Sequence, residues 1–173
     1  MSTWESFPVL GSGSELAAEE PLWWRLPDNR LLGLFRDNRR SGFIFRSFSA
    51  DQGRTWTLPE RTNFPDATSK LHGLQLRDGR YVLVSNANPK KRDPLVLSIS
   101  SDGVTFQQMG YLVGGRHVDY PHVMEHDGHL FVAFAGGNGL DLVAIAAVGF
   151  LGEIGFQALG PFGRIGLVVV DDD

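Results

Sequence analysis

The protein has 173 residues, of which 42% are hydrophobic and 21% charged, and its formal net charge is −4. Such a chain is long enough to bury one sizeable core, has an ordinary globular composition, and is too acidic to favour a general nucleic-acid surface. It contains no cysteine, which excludes disulfides, thiolate metal sites and cysteine nucleophiles.

The N-terminal part of the chain predicts short strands joined by turns. Residues 4–10 are the first expected strand, and a loop rich in Gly, Ser and Glu follows through Glu20. Residues 21–26 and 31–35 are expected strands around a turn at Asp28-Asn29, and residues 43–48 are the next strand. Residues 1–10 contain no basic segment followed by an apolar run, so we expect no signal peptide and favour a cytoplasmic location.

The motif that organises this part of the chain is Ser49-Ala50-Asp51-Gln52-Gly53-Arg54-Thr55-Trp56. Asp51 can fold its carboxylate back onto backbone N–H groups, and Gly53 can adopt the positive φ that a tight reversal needs. Trp56 then brings a large apolar ring to the hairpin and is expected to begin the returning strand. The motif therefore predicts a specific turn between two strands.

The same order of elements returns further along the chain. Expected strands at 72–76 and 81–85 flank Asp78-Gly79, and a strand at 95–99 leads into residues 100–106, a motif one residue shorter with Phe in place of Trp. A third pass has expected strands at 121–125 and 130–135 around Asp127-Gly128. The turn aspartates 28, 78 and 127 are spaced by 50 and 49 residues, and Asp51 and Asp102 by 51. A repeat of this length made of four short strands is typical of propeller blades.

The pattern changes from Gly137 onward. Residues 137–173 form a Gly/Val-rich tail with few charges, little alternation and no recognisable turn motif, whereas residues 1–136 carry the repeat. Two interpretations remain open: a divergent ending of the third blade, or a truncated product with foreign C-terminal sequence, which we favour. An exposed apolar edge of a blade would then permit self-association.

The motif at 49–56 matches the Asp-box at every consensus position, and with the repeat and the segment 120–128 the chain resembles bacterial-type sialidase-like (BNR repeat) proteins over residues 18–136. The resemblance implies an all-β fold, here about three four-stranded antiparallel blades of a six-bladed sialidase-like β-propeller. In the catalytic members it implies exo-hydrolysis of terminal sialic acids.

Strand alternation places the functional side chains at one end of the blades. The Asp/Asn turns and the Asp-boxes share one end, so the opposite end, which we call the rim, collects the links between second and third strands and the links between blades. Arginines, carboxylates, histidines and a tyrosine lie in these links, at residues 19–20, 36–40, 66–72, 86–93 and 116–122. Connectivity alone therefore predicts that side chains of three blades converge at the rim. Arg36 and Arg92 could pair with carboxylates of the chain, or they could bind a ligand, and both possibilities remain open.

The resemblance implies roles for these rim residues. Catalytic sialidases clamp the substrate carboxylate with three arginines, use a Tyr–Glu couple as nucleophile and use an Asp as the acid/base. The catalytic candidates are Asp119, Tyr120, Glu20 and Asp66. The substrate-binding candidates are Arg36, Asp37, Lys70, His72, Asn86, Arg92, Arg116, His117 and His122.

Two functions follow from these expectations. The first is a sialidase-like glycoside hydrolase that acts on terminal, acidic sugars of glycans. We expect these blades alone to be incomplete and inactive, and the complete propeller to be an exo-glycosidase. The second is a non-catalytic carbohydrate-binding or assembly propeller module. The F/Y-R-I-P motif of sialidases is absent, and Glu19-Glu20-Pro21-Leu22 occupies the comparable strand start. The expected partner is a glycan or another small acidic carbohydrate. We expect no metal, other cofactor, nucleic acid or membrane.

Overall fold

The structure, a computed structural model, describes residues 4–10 and 14–136, together with the backbone of Gly139–Ile145 and Gly166–Val168. Three four-stranded sheets account for the strands of these residues. The first sheet runs in the order β1 (Ala18–Arg25), β2 (Leu31–Asp37), β3 (Phe43–Ser49) and β4 (Glu60–Pro65). The second runs β5 (His72–Gln75), β6 (Tyr81–Asn86), β7 (Leu95–Ser100) and β8 (Phe106–Val113).

The third sheet contains β9 (Val118–His126), β10 (His129–Gly136), β11 (Gly139–Ile145) and β12 (Gly166–Val168). Its first three strands pair antiparallel as in the other sheets, whereas β12 pairs with β11 in parallel. The rest of the expected tail at 137–173 lies outside the described residues. The all-β, blade-like architecture expected from the repeat is confirmed, and the described residues hold no helix long and apolar enough to cross a membrane.

The middle strands are buried because the sheets pack face to face. Every residue of β2, β6 and β7 is buried, in agreement with sequences that are mostly apolar and do not alternate strictly between apolar and polar residues. One apolar cluster, including Leu32, Ile44 and Leu83, fills the space between the first two sheets. A second, including Val84, Leu97 and Val132, fills the space between the second and third. The core therefore consists of the two interfaces between consecutive blades.

Trp24 joins the first blade to the second. Its indole N–H donates a hydrogen bond to the carbonyl of Gly103, 3.1 Å away, and its ring lies 5.6 Å from the ring of Tyr81. The Tyr81 hydroxyl in turn donates to the carbonyl of Arg25 at 2.7 Å. Because Gly103 belongs to the turn after β7, the two blades are fixed at the end opposite to the rim.

The turn predicted at 49–56 is closed by its own polar side chains. The Ser49 hydroxyl donates to Asp51 and accepts the N–H of Gly53, which has a φ of 88°. Asp51 also accepts the N–H and the hydroxyl of Thr55, and these hydrogen bonds lower its pKa to about 2. The Trp56 N–H donates to the carbonyl of Gly53 at 3.0 Å. Ser100, Asp102 and Thr105 repeat the arrangement in the second blade.

Three expectations about strand boundaries are wrong. Residues 4–10 form no strand and pair with none of the described strands, so a strand there would leave its backbone groups unpaired. The loop expected through Glu20 ends earlier, because β1 begins at Ala18. The fourth strand begins at Glu60 and not at Trp56, because the Trp56 side chain closes the turn on Gly53 and Pro59 has no N–H to offer.

Replacing Gly73 tests the close approach of β5 to β6. A Cβ at Gly73 would lie 2.2 Å from the carbonyl oxygen of Val82, a backbone atom that cannot move aside. We expect Gly73→Ala to lower the free energy of unfolding by about 3 kcal/mol. Gly79→Ala is the control, because Gly79 has open space around it but a φ of 92°, so only a backbone cost of about 1–2 kcal/mol is expected. Urea unfolding measures both, and an equal or smaller loss for Gly73→Ala would contradict the packing described.

Candidate functional site

The rim forms where the ends of β2, β6 and β9 meet the links between blades. In the first blade, Leu31 at the start of β2 pairs with Ser49, where the Asp-box begins, while Asp37 at the other end of β2 pairs with Ala18. Arg36 and the Asp-box therefore lie at opposite ends of the same sheet, in agreement with the expected alternation.

The carbonyl oxygen of Thr68 joins two arginines from different blades. Arg36 Nη1 donates to it at 3.0 Å and Arg92 Nη2 at 2.6 Å. Thr68 lies in the link between the first and second blades and has a φ of 54°. This left-handed conformation is unfavourable for a β-branched residue, and such strain occurs preferentially at functional sites.

Two glutamates of β1 surround Arg36. Its Nη2 donates to Glu19 Oε2, and its Nε lies 3.1 Å from Glu20 Oε2. The geometry of the second pair is not that of a hydrogen bond, so Arg36 Nε and Glu20 Oε2 are buried without one among the described residues. Burial lowers the pKa of Arg36, but the hydrogen bond to Glu19 and the charges of Glu20 and Tyr120 outweigh burial and raise the pKa above its ordinary value. The guanidinium is therefore charged and held from three sides.

Arg92 is bound to the third blade. Its Nη1 donates to Asp119 Oδ2 at 2.5 Å, and the same oxygen lies 2.8 Å from His117 Nε2. The guanidinium also lies over the ring of Tyr120, 5.5 Å from its centre. Arg92, His117, Asp119 and Tyr120 thus form one contiguous group, which reaches Arg36 through Thr68. We call these residues, together with Glu19 and Glu20, the rim cluster.

Local backbone distortion directs Glu20 and Tyr120 towards the rim. Glu20 has a φ of 47° and Tyr120 a φ of 50°, and each lies where the register of its strand pair shifts. A bulge of this kind redirects a side chain relative to the pleat of the sheet. Since the first and third blades carry the distortion at matching positions, it is a repeated feature of this rim.

Asp37 and Asp66 serve the backbone. Asp66 is only 3% exposed, and its two oxygens accept the N–H groups of Asp37 and Ser69. Burial raises the pKa of Asp66 above its ordinary value, although these N–H donors lower it in part. The Asp37 carboxylate accepts the N–H groups of Arg39 and Ser41. Both carboxylates therefore hold the links of the rim in place.

His72 and His122 form a separate pair beside the cluster. Their rings are 4.1 Å apart, and His72 Nδ1 accepts the N–H of Val123 at 3.0 Å, which places the proton of the neutral ring on Nε2. Burial, followed by the charges of His122 and Lys70, lowers the pKa of His72 to about 4. His72 is thus neutral at ordinary pH and connects β5 to β9.

The remaining candidates are not part of the cluster. The Asn86 amide donates to the carbonyls of Pro94 and Val118, which ties the second blade to the third. Arg116 lies in the link between β8 and β9 and is partly buried. Within the described part of the chain, no group of three or more His, Asp or Glu side chains is placed to hold a metal ion.

Sequence reasoning missed two members of the cluster. Glu20 was selected and Glu19 passed over, although Glu19 is the residue that pairs with Arg36 across the strands. Counting back from the Asp28-Asn29 turn would place Glu20 opposite Arg36, and only the bulge shifts the pairing. Thr68 contributes a backbone carbonyl, for which the amino-acid sequence carries no direct signal.

The comparisons with known proteins agree with this architecture. Residues 2–132 match the family of BNR repeat-like domains. No curated protein sequence matches the chain. Among solved structures, the α-L-arabinanase of Penicillium chrysogenum complexed with arabinobiose superimposes with a TM-score of 0.61 at 17% identity, covering 80% of this chain and 49% of that one.

Two further structures extend the comparison. The intramolecular trans-sialidase of Ruminococcus gnavus, in complex with oseltamivir carboxylate, gives a TM-score of 0.64 at 16% identity and covers 84% of this chain and 35% of that one. The α-L-arabinofuranosidase of Fusarium graminearum, in complex with an iminosugar inhibitor, gives 0.53 at 13% identity, with coverages of 82% and 49%. The chain thus spans about half or less of these structures, and identities this low show the fold alone.

The His72 pair generates a prediction about pH. Because the pKa of His72 is about 4 in the folded protein against 6.5 ordinarily, the unfolded chain binds more protons between these values. The contribution of His72 to stability is therefore lost as the pH falls from 6.5 towards 4, with no further loss below. His72→Asn keeps an acceptor for the Val123 N–H but removes the titration.

We expect the parent to lose more stability than His72→Asn between about pH 7 and about pH 4.5, measured by urea unfolding at each pH. His126→Asn is the matched control, since that side chain is exposed, and it should follow the parent. If His72→Asn follows the parent as well, His72 is not held neutral by its surroundings.

Proposed function

The chain belongs to the family of BNR repeat-like domains, and from that premise we propose that its rim cluster binds the terminal sugar of a glycan as part of a propeller glycoside hydrolase. The observation that carries the proposal is a chain of contacts through three blades: Arg36 of the first and Arg92 of the second both donate to the carbonyl of Thr68, and Arg92 also donates to Asp119 of the third. Charged side chains gathered with a strained backbone are a pattern of functional sites.

The cluster offers suitable groups for glycoside hydrolysis. We assign Tyr120 as the nucleophile and Glu20 as the base that receives its proton. Tyr120 is 42% exposed and its ring lies against the guanidinium of Arg92, whereas Glu20 lies 3.1 Å from Arg36, and the carbonyl of Thr68 joins the two arginines. Glu20 Oε2 has no hydrogen bond among the described residues, which leaves a lone pair for the phenolic proton.

Asp119 is the stronger candidate for the acid/base. Asp66 gives both oxygens to backbone N–H groups and is almost fully buried, so it has no free edge for a glycosidic oxygen. Asp119 binds Arg92 and His117 through one oxygen, Oδ2. His117 is largely exposed and offers a route for a proton between Asp119 and water.

A second candidate function is carbohydrate binding without turnover. It is favoured by the same two contacts at Asp119 Oδ2, because a carboxylate held between a guanidinium and an imidazole is a stable ion-pair partner as well as a candidate acid. Many members of one fold bind without catalysing, so the site must decide between the two.

Substitution of Asp119 and Tyr120 separates these functions. A hydrolase predicts that Asp119→Asn and Tyr120→Phe each lower the release of nitrophenol from aryl glycosides by at least about 100-fold, while glycan binding measured by saturation-transfer NMR persists. Tyr111→Phe, an exposed tyrosine of β8, is the matched control and should keep the parent rate.

Because these blades alone are expected to be inactive, binding without release favours the second function only when it is also seen in the complete propeller. Failure of the parent to bind any glycan of the panel, which includes arabinobiose and sialyllactose, would overturn the proposal in both forms.

A further inference from the structure

We propose that the rim cluster selects an uncharged terminal sugar, because its two arginines are already neutralised by carboxylates of the chain itself. The inference rests on the proposed function, since it concerns the sugar that the same site receives. The sequence led us to expect an acidic sugar, whose carboxylate would need a guanidinium group with free N–H donors.

Arg36 has no free edge for a ligand carboxylate. A carboxylate is recognised best by two parallel N–H groups on one edge of a guanidinium. In Arg36, Nη1 is used by Thr68, Nη2 by Glu19, and Nε faces Glu20 at 3.1 Å. The side chain is only 9% exposed. Each edge of its fork therefore already carries an acceptor from the chain.

Arg92 is occupied in the same way. Its Nη1 donates to Asp119 and its Nη2 to Thr68, and the ring of Tyr120 lies over one face of the guanidinium. A ligand carboxylate that took the Nη1 hydrogen held by Asp119 would displace that carboxyl. Asp119 is largely buried and would keep only His117 as a partner, and the loss of one partner from a buried ion pair costs several kcal/mol in proteins.

The charge of the groups that bind the two arginines also disfavours an acidic sugar. Glu19, Glu20 and Asp119 oppose two arginines, so the carboxylates outnumber the guanidinium groups, and His117 beside Asp119 adds a positive charge only when it is protonated. The carboxylate of an acidic sugar would therefore meet net repulsion at the cluster. A neutral sugar meets instead the carboxylate oxygens of Glu19 and Glu20, whose side chains are 45% and 31% exposed and can accept hydrogen bonds from hydroxyl groups.

The other cations of the rim lie outside the rim cluster, and four of them, Arg39, Arg40, Lys90 and Lys91, are exposed in the links. Lys70 acts on His72, where its charge contributes to the lowered pKa of the imidazole. Its ammonium is a single point charge without the planar fork that recognises a carboxylate. Arg116 belongs to the link before β9 and already has an interaction. Selection at the cluster is therefore set by Arg36 and Arg92 and by the carboxylates that bind them.

The test compares neutral and acidic probes on the full chain. Lactose and arabinobiose are the neutral probes, and 3′-sialyllactose and digalacturonic acid the acidic ones, with affinities from saturation-transfer NMR and calorimetry at low salt. We expect the better neutral probe to bind at least about tenfold more tightly than either acidic probe, since repulsion of one like charge at this range is on the order of 1–4 kcal/mol.

Glu19→Gln tests the cause. It keeps the size of the side chain but frees Arg36 of one anion, so binding of the acidic probes should rise at least about fivefold while neutral binding changes little. Glu60→Gln makes the same chemical change at the exposed partner of Arg46 on β4 and should bind as the parent does. Thermal unfolding confirms that each variant is folded, and the comparison of probes on the parent stands even where a variant is not.

Each outcome has one meaning. Tighter binding of an acidic probe by the parent overturns the inference and leaves the proposed function intact. A neutral preference that Glu19→Gln does not alter overturns the assignment to internal neutralisation. Binding of none of the four probes overturns the proposed function and, with it, the inference.

Discussion

The contact of Trp24 with the second blade determines how the first two blades sit against each other. Its indole reaches across to Gly103 and packs on Tyr81, whose hydroxyl returns to the backbone of the first blade. Both partners lie near the turns after β5 and β7, so the contact fixes the end of the blades away from the rim. Since a sheet is stiff along its strands, alignment at one end carries to the other, where Arg36 and Arg92 must reach the same oxygen.

The rim cluster shows how a rigid scaffold supports polar groups at its edge. Apolar clusters on either side of the second blade hold the strands, and the links at the rim carry the charged side chains of the cluster. Asp37 and Asp66 stabilise these links by accepting backbone N–H groups, which keeps Thr68 in a conformation that it would not adopt alone. The arginines then find their partners without long flexible loops. Order in the links is thus a condition for the charge pairing on which the proposed sugar selection depends.

The sequence was sufficient for the architecture and for most of the residues of the cluster. The repeat of turn aspartates and the Asp-box predicted four-stranded blades, and strand alternation alone predicted that Arg36, Arg92, Asp119 and Tyr120 approach one another. Periodicity could not locate the bulge that makes Glu19, rather than Glu20, the cross-strand partner of Arg36, because a bulge changes register without changing composition. Nor could it show that residues 4–10 lack a strand to pair with, which depends on what lies beside them.

The bridging atom between the two arginines belongs to the main chain, since both guanidinium groups donate to the carbonyl of Thr68. A carboxylate or hydroxyl in this place could be deleted by a single codon change, whereas every amino acid at position 68 supplies the same oxygen. A mutation at position 68 can change only how readily the backbone adopts the conformation that presents this oxygen. During evolutionary divergence, the contact of both arginines with this oxygen is therefore insensitive to which amino acid occupies position 68. It is sensitive instead to substitutions of the neighbours that hold the turn, such as Asp66.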